Sequence, residues 1–254
     1  MPTTRRSLLS AIVSSVIPFF CLQAQPKPSN EPTMDQMWVD TARQREVPVK
    51  LRWPDQALNP GTRPVVLFSH GLGGTREGGA AWGQAWAAAG FVVVHLQHPG
   101  SDLAAVRAVA SSFGDQRGLR SVAAPAQLVA RLKDVGFVLD EIERRHTARI
   151  DRWGGARPTQ VGMSGHSFGA LPPGDKAHLV LQHADQMTFG GQTGRAAEIV
   201  PRDAVTRDLQ AQHHALVAAI TTDWWRATLL SDALANARLI TPSGLAPGDL
   251  WQRR

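Results

Sequence analysis

The ten residues from Val161 to Ala170, V-G-M-S-G-H-S-F-G-A, constrain this chain more than any other stretch. Within them, Gly165 and Gly169 flank His166-Ser167-Phe168. A strand entering such a segment can turn sharply, hold a serine hydroxyl at the tip and leave into a helix, because neither glycine brings a Cβ into the turn. Small residues also cluster in ordinary loops, so context has to support the pattern. Thr159–Met163 reads as a short strand feeding the turn, and Val65–Ser69 with His70-Gly-Leu-Gly-Gly74 supplies a second strand and glycine-rich loop. Ser167 is therefore the candidate nucleophile.

Along the chain, strands and helices alternate. Glu46–Trp53 predicts an early strand, and Pro48 within it favours a sheet edge. Pro64–Ser69 and Gly90–Leu96 are continuous apolar runs, as expected of parallel strands buried on both faces. Ala80–Ala89 reads as a helix with Trp82 and Trp86 on one face, more naturally core than ligand box. Leu103–Ser112 reads as a helix followed by a glycine-containing loop, and Pro125–His146 as a long helix. In the long helix, Leu128, Leu132, Val135, Val138 and Leu139 form an apolar stripe. This pattern predicts an α/β fold, a mostly parallel sheet flanked by helices, with chemistry at the C-terminal strand ends. The His70 loop, the Asp102 loop and Ser167 all fall there.

After Ser167 the alternation breaks. Leu171 is followed by Pro172-Pro173, which ends the helix after the turn within about one turn. Ala177–Gln182 predicts a strand and Thr206–Ala237 a helix containing Trp224 and Trp225.

The N-terminus predicts an export signal over residues 1–24. Arg5-Arg6 precedes an apolar run from Ser7 to Phe20, with cleavage near Ala24, and Thr3–Leu9 also fits the twin-arginine type. The run is short and broken by Pro18, so no stable membrane span is expected after its removal. The expected location is the periplasm or the exterior of a bacterium. Residues 25–45 read as a polar leader and 46–254 as a single domain. Cys21, the only cysteine, would leave with the signal, excluding disulfides and a thiol nucleophile from the mature chain. The net charge of +6 comes from scattered arginines, so no nucleic-acid partner is expected. No histidine–carboxylate spacing fits a metal site and no full dinucleotide fingerprint occurs, so neither metal nor cofactor is expected.

Four segments carry a family resemblance: His70-Gly-Leu-Gly-Gly74, Gln97-His-Pro-Gly-Ser-Asp102, Gly165-His-Ser-Phe-Gly-Ala170 and Ala184-Asp-Gln-Met-Thr-Phe-Gly-Gly191. With them the chain resembles the α/β-hydrolase superfamily. Within it, the resemblance is to the dienelactone hydrolase and platelet-activating-factor acetylhydrolase-like group of secreted bacterial proteins. The resemblance implies a serine esterase acting on small or lipid-like carboxylic esters. Ser167 would be the nucleophile, and the backbone N–H groups of Leu72 and Phe168 would form the oxyanion hole. It also implies a triad in the order serine, acid, histidine, and here the chain departs. Gln186 occupies the histidine position, and only 18 residues separate it from Ser167. The elements that would carry the acid look deleted between Ala170 and Leu171, so the acid is unknown.

The chemistry makes that departure serious. A serine hydroxyl needs a neutral imidazole to take its proton and later return it to the leaving group. An amide has no useful basicity. His183, at the expected end of the last strand, and Asp102, at a strand end on the correct face, are the possible substitutes; each reads first as a surface or structural residue. The expectation is a serine hydrolase with impaired turnover. The alternative is a catalytically inactive hydrolase-fold binding protein or a degenerate gene product.

Overall fold

The structure, a computed structural model, describes residues 33–55, 62–109, 115–169, 177–191 and 202–253. The signal expected over residues 1–24 and the Pro172-Pro173 break lie outside them. Five strands form the main sheet in the order β1-β2-β4-β3-β5: β1 Met34–Asp40, β2 Arg45–Arg52, β3 Arg63–Ser69, β4 Val92–Leu96 and β5 Ala156–Gly165. The pairs β1–β2 and β2–β4 are antiparallel, while β3–β4 and β3–β5 are parallel. Only β2 thus runs against the other four.

The expected alternation builds three layers. On one face Val65, Leu67, Val92 and Val94 pack with Val138 and Ile142 of α4 (Pro125–Thr147) and with Trp38, Trp53 and Trp153. On the other, Val66, Phe68 and Val93 pack with Trp82 and Trp86 of α1 (Ala80–Ala88) and with Leu216, Val217, Ile220 and Trp225 of α5 (Ala204–Leu229). Each buried aliphatic side chain contributes about 1.5–3 kcal/mol. Successive side chains of β3 therefore enter opposite cores, Val65 and Leu67 one and Val66 and Phe68 the other.

Several expectations need correction. The polar leader ends sooner than residue 45, because Met34–Asp40 is the edge strand β1, with Trp38 buried and Met37 and Val39 exposed. Consequently β2 is internal and Pro48 is not at an edge. Gln97 N–H donates to Pro48 O at 2.9 Å, so Pro48 faces β4, one residue beyond a ladder that starts at Val49–Leu96. Its missing N–H falls where the ladder has already ended. The loop expected after α2 (Leu103–Val109) contains α3 (Gln116–Val122), capped by the Asp115 carboxylate accepting from Gly118 N–H.

Part of the apolar stripe of α4 faces the core as expected, Val138 buried and Val135 packed against it, and the rest does not. Leu128, Leu132 and Leu139 are exposed, while Arg131, Asp134, Val138 and Ile142 are buried. The helix expected over Thr206–Ala237 is two: α5 ends at Leu229, Ser231 turns with φ 54°, and Asp232 caps α6 (Ala233–Arg238) through Leu234 and Ala235 N–H. Strand β6 (Ala177–Val180) forms, but pairs antiparallel with β7 (Leu250–Arg253) in a separate two-stranded sheet. Among the described residues the main sheet ends at β5.

Candidate active site

β5 ends at Gly165, and the turn that follows is held against the end of β3. His166 N–H donates to Ser69 O at 3.1 Å, and Gly169 N–H to His166 O at 2.9 Å. Ser167–Gly169 is one 3-10 turn. Ser167 itself has φ 53°, a left-handed conformation that costs a non-glycine residue about 1–3 kcal/mol and that this kind of turn imposes. A Cβ at Gly169 would overlap the carbonyl oxygens of Ser69 and His70, so only glycine lets the turn sit there. Ser167 is exposed at the tip.

The loop after β3 lies beside it: a Cβ on Gly71 would sit 3.1 Å from His166 Nδ1 and 3.4 Å from Ser167 Cβ. Gly73 N–H donates to Ser101 O at 2.9 Å, and Gly74 N–H to Gly71 O at 3.1 Å. His70 is buried and neutral. His98 N–H donates to its Nε2 at 3.1 Å, which puts the proton on Nδ1, donating to Gly71 O at 2.6 Å. Burial, with Arg131 nearby, pushes its pKa down to about 3. Among the described residues, neither Leu72 N–H nor Phe168 N–H meets a protein acceptor.

Gln186 is brought to Ser167. The segment 184–191 is clamped to the start of α1: Gly79 N–H donates to Gly190 O at 2.9 Å, Ala81 N–H to Gly191 O at 3.1 Å and Trp82 Nε1–H to Phe189 O at 3.3 Å. His166 Nε2–H donates to Gln186 O at 2.7 Å. So held, Gln186 Nε2 donates to Ser167 Oγ at 2.8 Å. Gln186 therefore stands within hydrogen-bond reach of Ser167 Oγ, and its amide has no useful basicity.

Neither substitute reaches the serine. His183 is exposed with φ 59°, and among the described residues no hydrogen bond joins it to Ser167. Asp102 is spent at the start of α2, where one oxygen accepts from Ala105 N–H at 3.1 Å and the other from Gln97 Nε2 at 2.8 Å. Asp185, next to Gln186, accepts from Thr188 N–H and Oγ1–H and from Arg202. No carboxylate meets the Gln186 side chain among the described residues.

Behind the loop after β3 lies an arrangement that sequence reading missed. Ser69 Oγ is 3.0 Å from His98 Nε2, and His98 Nδ1 is 3.0 Å from Asp134 Oδ2. All three are almost wholly buried. Asp134 also binds Arg43 and Arg45. Burial pushes its carboxyl up, but the His98, Arg45 and Arg43 bonds prevail and hold it at about 2. Beside it Arg131, 1% exposed, donates to His70 O, to Ser101 Oγ at 2.9 Å and to Ser69 Oγ at 3.3 Å, and lies 5.0 Å from the Phe168 ring centroid. Burial lowers its pKa to about 10, so it stays charged at neutral pH. The available signal was the phase of α4, where Arg131 and Asp134 fall in register with Val138 and Ile142.

His95 and His214 serve packing. His95 Nδ1 bonds Gly78 O at 2.9 Å, and His214 packs edge-on against Trp82 at 5.1 Å. No group of three metal-ligating side chains occurs among the described residues.

Comparison with known proteins agrees with this fold. Residues 35–121 match the family model of platelet-activating factor acetylhydrolase, isoform II, a span that includes the loop after β3 and stops before Ser167. No curated protein sequence matches the chain. Among solved structures, a ferulic acid esterase from Streptomyces cinnamoneus is similar over 87% of this chain and 95% of that one, at 17% identity and a TM-score of 0.55. A lipase/esterase from Lactobacillus plantarum is similar over 54% of this chain and 46% of that one, at 17% identity and a TM-score of 0.35.

Proposed function

Given a chain that is an α/β-hydrolase by fold and related over residues 35–121 to the platelet-activating factor acetylhydrolases, we propose that it is an exported serine-type carboxylic ester hydrolase with impaired turnover. Ser167 is the nucleophile, Leu72 and Phe168 N–H form the oxyanion hole, and the substrates are small or lipid-like esters. Export rests on the Arg5-Arg6 signal, with cleavage near Ala24. The observation that carries the impairment is the 2.8 Å bond from Gln186 Nε2 to Ser167 Oγ. An amide donor in that place cannot remove the serine proton. Oxyanion hole and positioned hydroxyl alone leave roughly 10³–10⁴-fold acceleration over water in triad-deleted enzymes.

Hydrolysis of p-nitrophenyl butyrate by the purified chain tests this. The expected result is slow turnover, reduced further in Ser167→Ala. Turnover at the median enzyme rate of about 10 s⁻¹ and dependent on Ser167 would overturn the impairment. Slow turnover unchanged in Ser167→Ala would overturn the assignment of the nucleophile. The same hydrogen bond favours a second reading, an inactive binding protein.

A further inference from the structure

We propose that the outer face of α4 is where two copies of this chain meet, helix against helix in antiparallel order, with Gly136 at the crossing. Leu128, Leu132, Gly136 and Leu139 follow one another at steps of four, four and three residues, so they share one stripe of the helix, with Val129 beside it. All five are exposed, Val129 and Leu132 by 50% each. The helix meets the rest of the molecule with its other face, through Arg131, Asp134, Val138 and Ile142. The outer stripe thus leaves about three turns of contiguous apolar surface in water, as an interaction surface does.

Gly136 shows what kind of neighbour the stripe suits. Glycine inside a helix weakens it relative to alanine. A Cβ built on Gly136 would meet nothing within 4 Å, so no contact inside the molecule requires glycine there. A missing side chain at the middle of an apolar stripe instead lets a second helix backbone come close.

The charges decide whose helix that is. Lys133 and Asp140 are exposed on the same flank of the stripe, about 10.5 Å apart along the axis and too far to pair with each other. Among the described residues neither has an ion-pair partner, whereas Glu141 on the same helix binds Arg144 and Arg145. A two-fold axis beside Gly136 lies midway between positions 133 and 140. In an antiparallel pair about that axis, Lys133 of each copy faces Asp140 of the partner subunit, so one interface forms two ion pairs. Leu139 of the partner subunit then falls between Leu132 and Gly136. Parallel pairing in register would instead set lysine on lysine and aspartate on aspartate. Asp140 and exposed Glu143 also disfavour an anionic lipid surface, which calls for a basic rim.

Sedimentation equilibrium of the full chain over a range of concentrations tests this. Three turns of paired helix bury less than the roughly 800 Å² per partner of a standard interface, so a monomer–dimer equilibrium with a dissociation constant on the order of 10–100 µM is expected. Gly136→Gln puts a side chain into the crossing and is expected to weaken association at least about tenfold. The space above Gly136 is open and glutamine is the better helix former, so this variant folds and its urea midpoint does not fall. Lys133→Asp and Asp140→Lys each turn two attractions into two repulsions, and each is expected to weaken association about tenfold. Lys133→Asp combined with Asp140→Lys restores both pairs and is expected to associate within about threefold of the original chain. That restoration separates a second copy from any other occupant, because no other partner carries the compensating charge. A chain still monomeric at about 0.5 mM, association unchanged in Gly136→Gln, or no restoration in the double variant would each overturn the proposal. So would docking of this face on phosphatidylcholine vesicles in place of self-association.

Discussion

Two serines in this molecule stand beside hydrogen-bonding side chains, and their environments are opposite. Ser69 heads a complete serine–histidine–aspartate line with His98 and Asp134, buried and on extended backbone at the end of β3. Ser167 stands exposed on a left-handed turn, and its neighbour is an amide. The first has the groups of a triad and no route for a substrate. The second has the turn, the neighbouring loop after β3 and the exposure, but no base among the described residues. A triad is thus more than three residue types in a row. It needs an accessible oxygen, a place for the developing charge and a base, and here these requirements are divided between two sites. The Ser69 line acts as structure, tying β3, the loop after β4 and α4 together behind the Ser167 turn.

The sharpest way to break this comparison is to remove the buried carboxylate. Asp134→Ala leaves Arg43, Arg45 and His98 without their common partner, and is expected to lower stability by about 3–5 kcal/mol in urea unfolding. An effect under about 1 kcal/mol, the range of exposed pairs, would mean that the line holds nothing together.

Acid should act on the same region next. Burial, aided by Arg131 for His70 and Arg52 for His95, pushes both histidines down to about 3. Unfolded histidine titrates near 6.5. The folded values lie below the unfolded one, so this stabilisation is fully present above about pH 6.5 and is lost as pH falls towards 3. Each histidine is expected to contribute a loss of about 1 kcal/mol per pH unit in that window. Asp134, held at about 2, adds a loss only below about pH 4. Urea unfolding at pH 7, 6, 5 and 4 reads the slope, and a flat profile would contradict the buried neutral histidines.

The exposed site is sharpened by Gln186→His. An imidazole there reaches Ser167 Oγ but finds no carboxylate to orient it among the described residues. A gain of about 10–100-fold in ester hydrolysis is expected, well short of a complete triad. Recovery by many orders of magnitude would reveal a carboxylate serving that position. The smallest effect should be at the turn itself. Ser167→Gly removes the left-handed strain and is expected to raise stability by about 1 kcal/mol. Destabilisation instead would mean that the Gln186 bond outweighs the strain.

What could be read from the sequence follows from how local each constraint is. Gly165, Ser167 and Gly169 were legible because the turn imposes them locally, and Gln186 because it stands in a segment whose neighbours Thr188 to Gly191 keep their pattern. β3 and β4 were legible as unbroken apolar runs. The phase of α4 was not, since Leu128 and Leu132 suggest a face that the Arg131–Asp134 network overrides. Nor was β1, whose alternation is masked by exposed Met37 and Val39. The place of β2 depends on pairing with β1, so Pro48 was misread with it. The Ser69–His98–Asp134 line joins residues up to 65 positions apart in the chain, and its members share no local signature.

Fluorophosphonate labelling of the purified chain, with mass spectrometry to locate the adduct, tests the central claim most directly. The expected result is a soluble protein that unfolds cooperatively, with labelling of Ser167 hardly faster than free serine and none of buried Ser69. Rapid labelling of Ser167 would contradict the account, because it would require a base at the place where Gln186 donates.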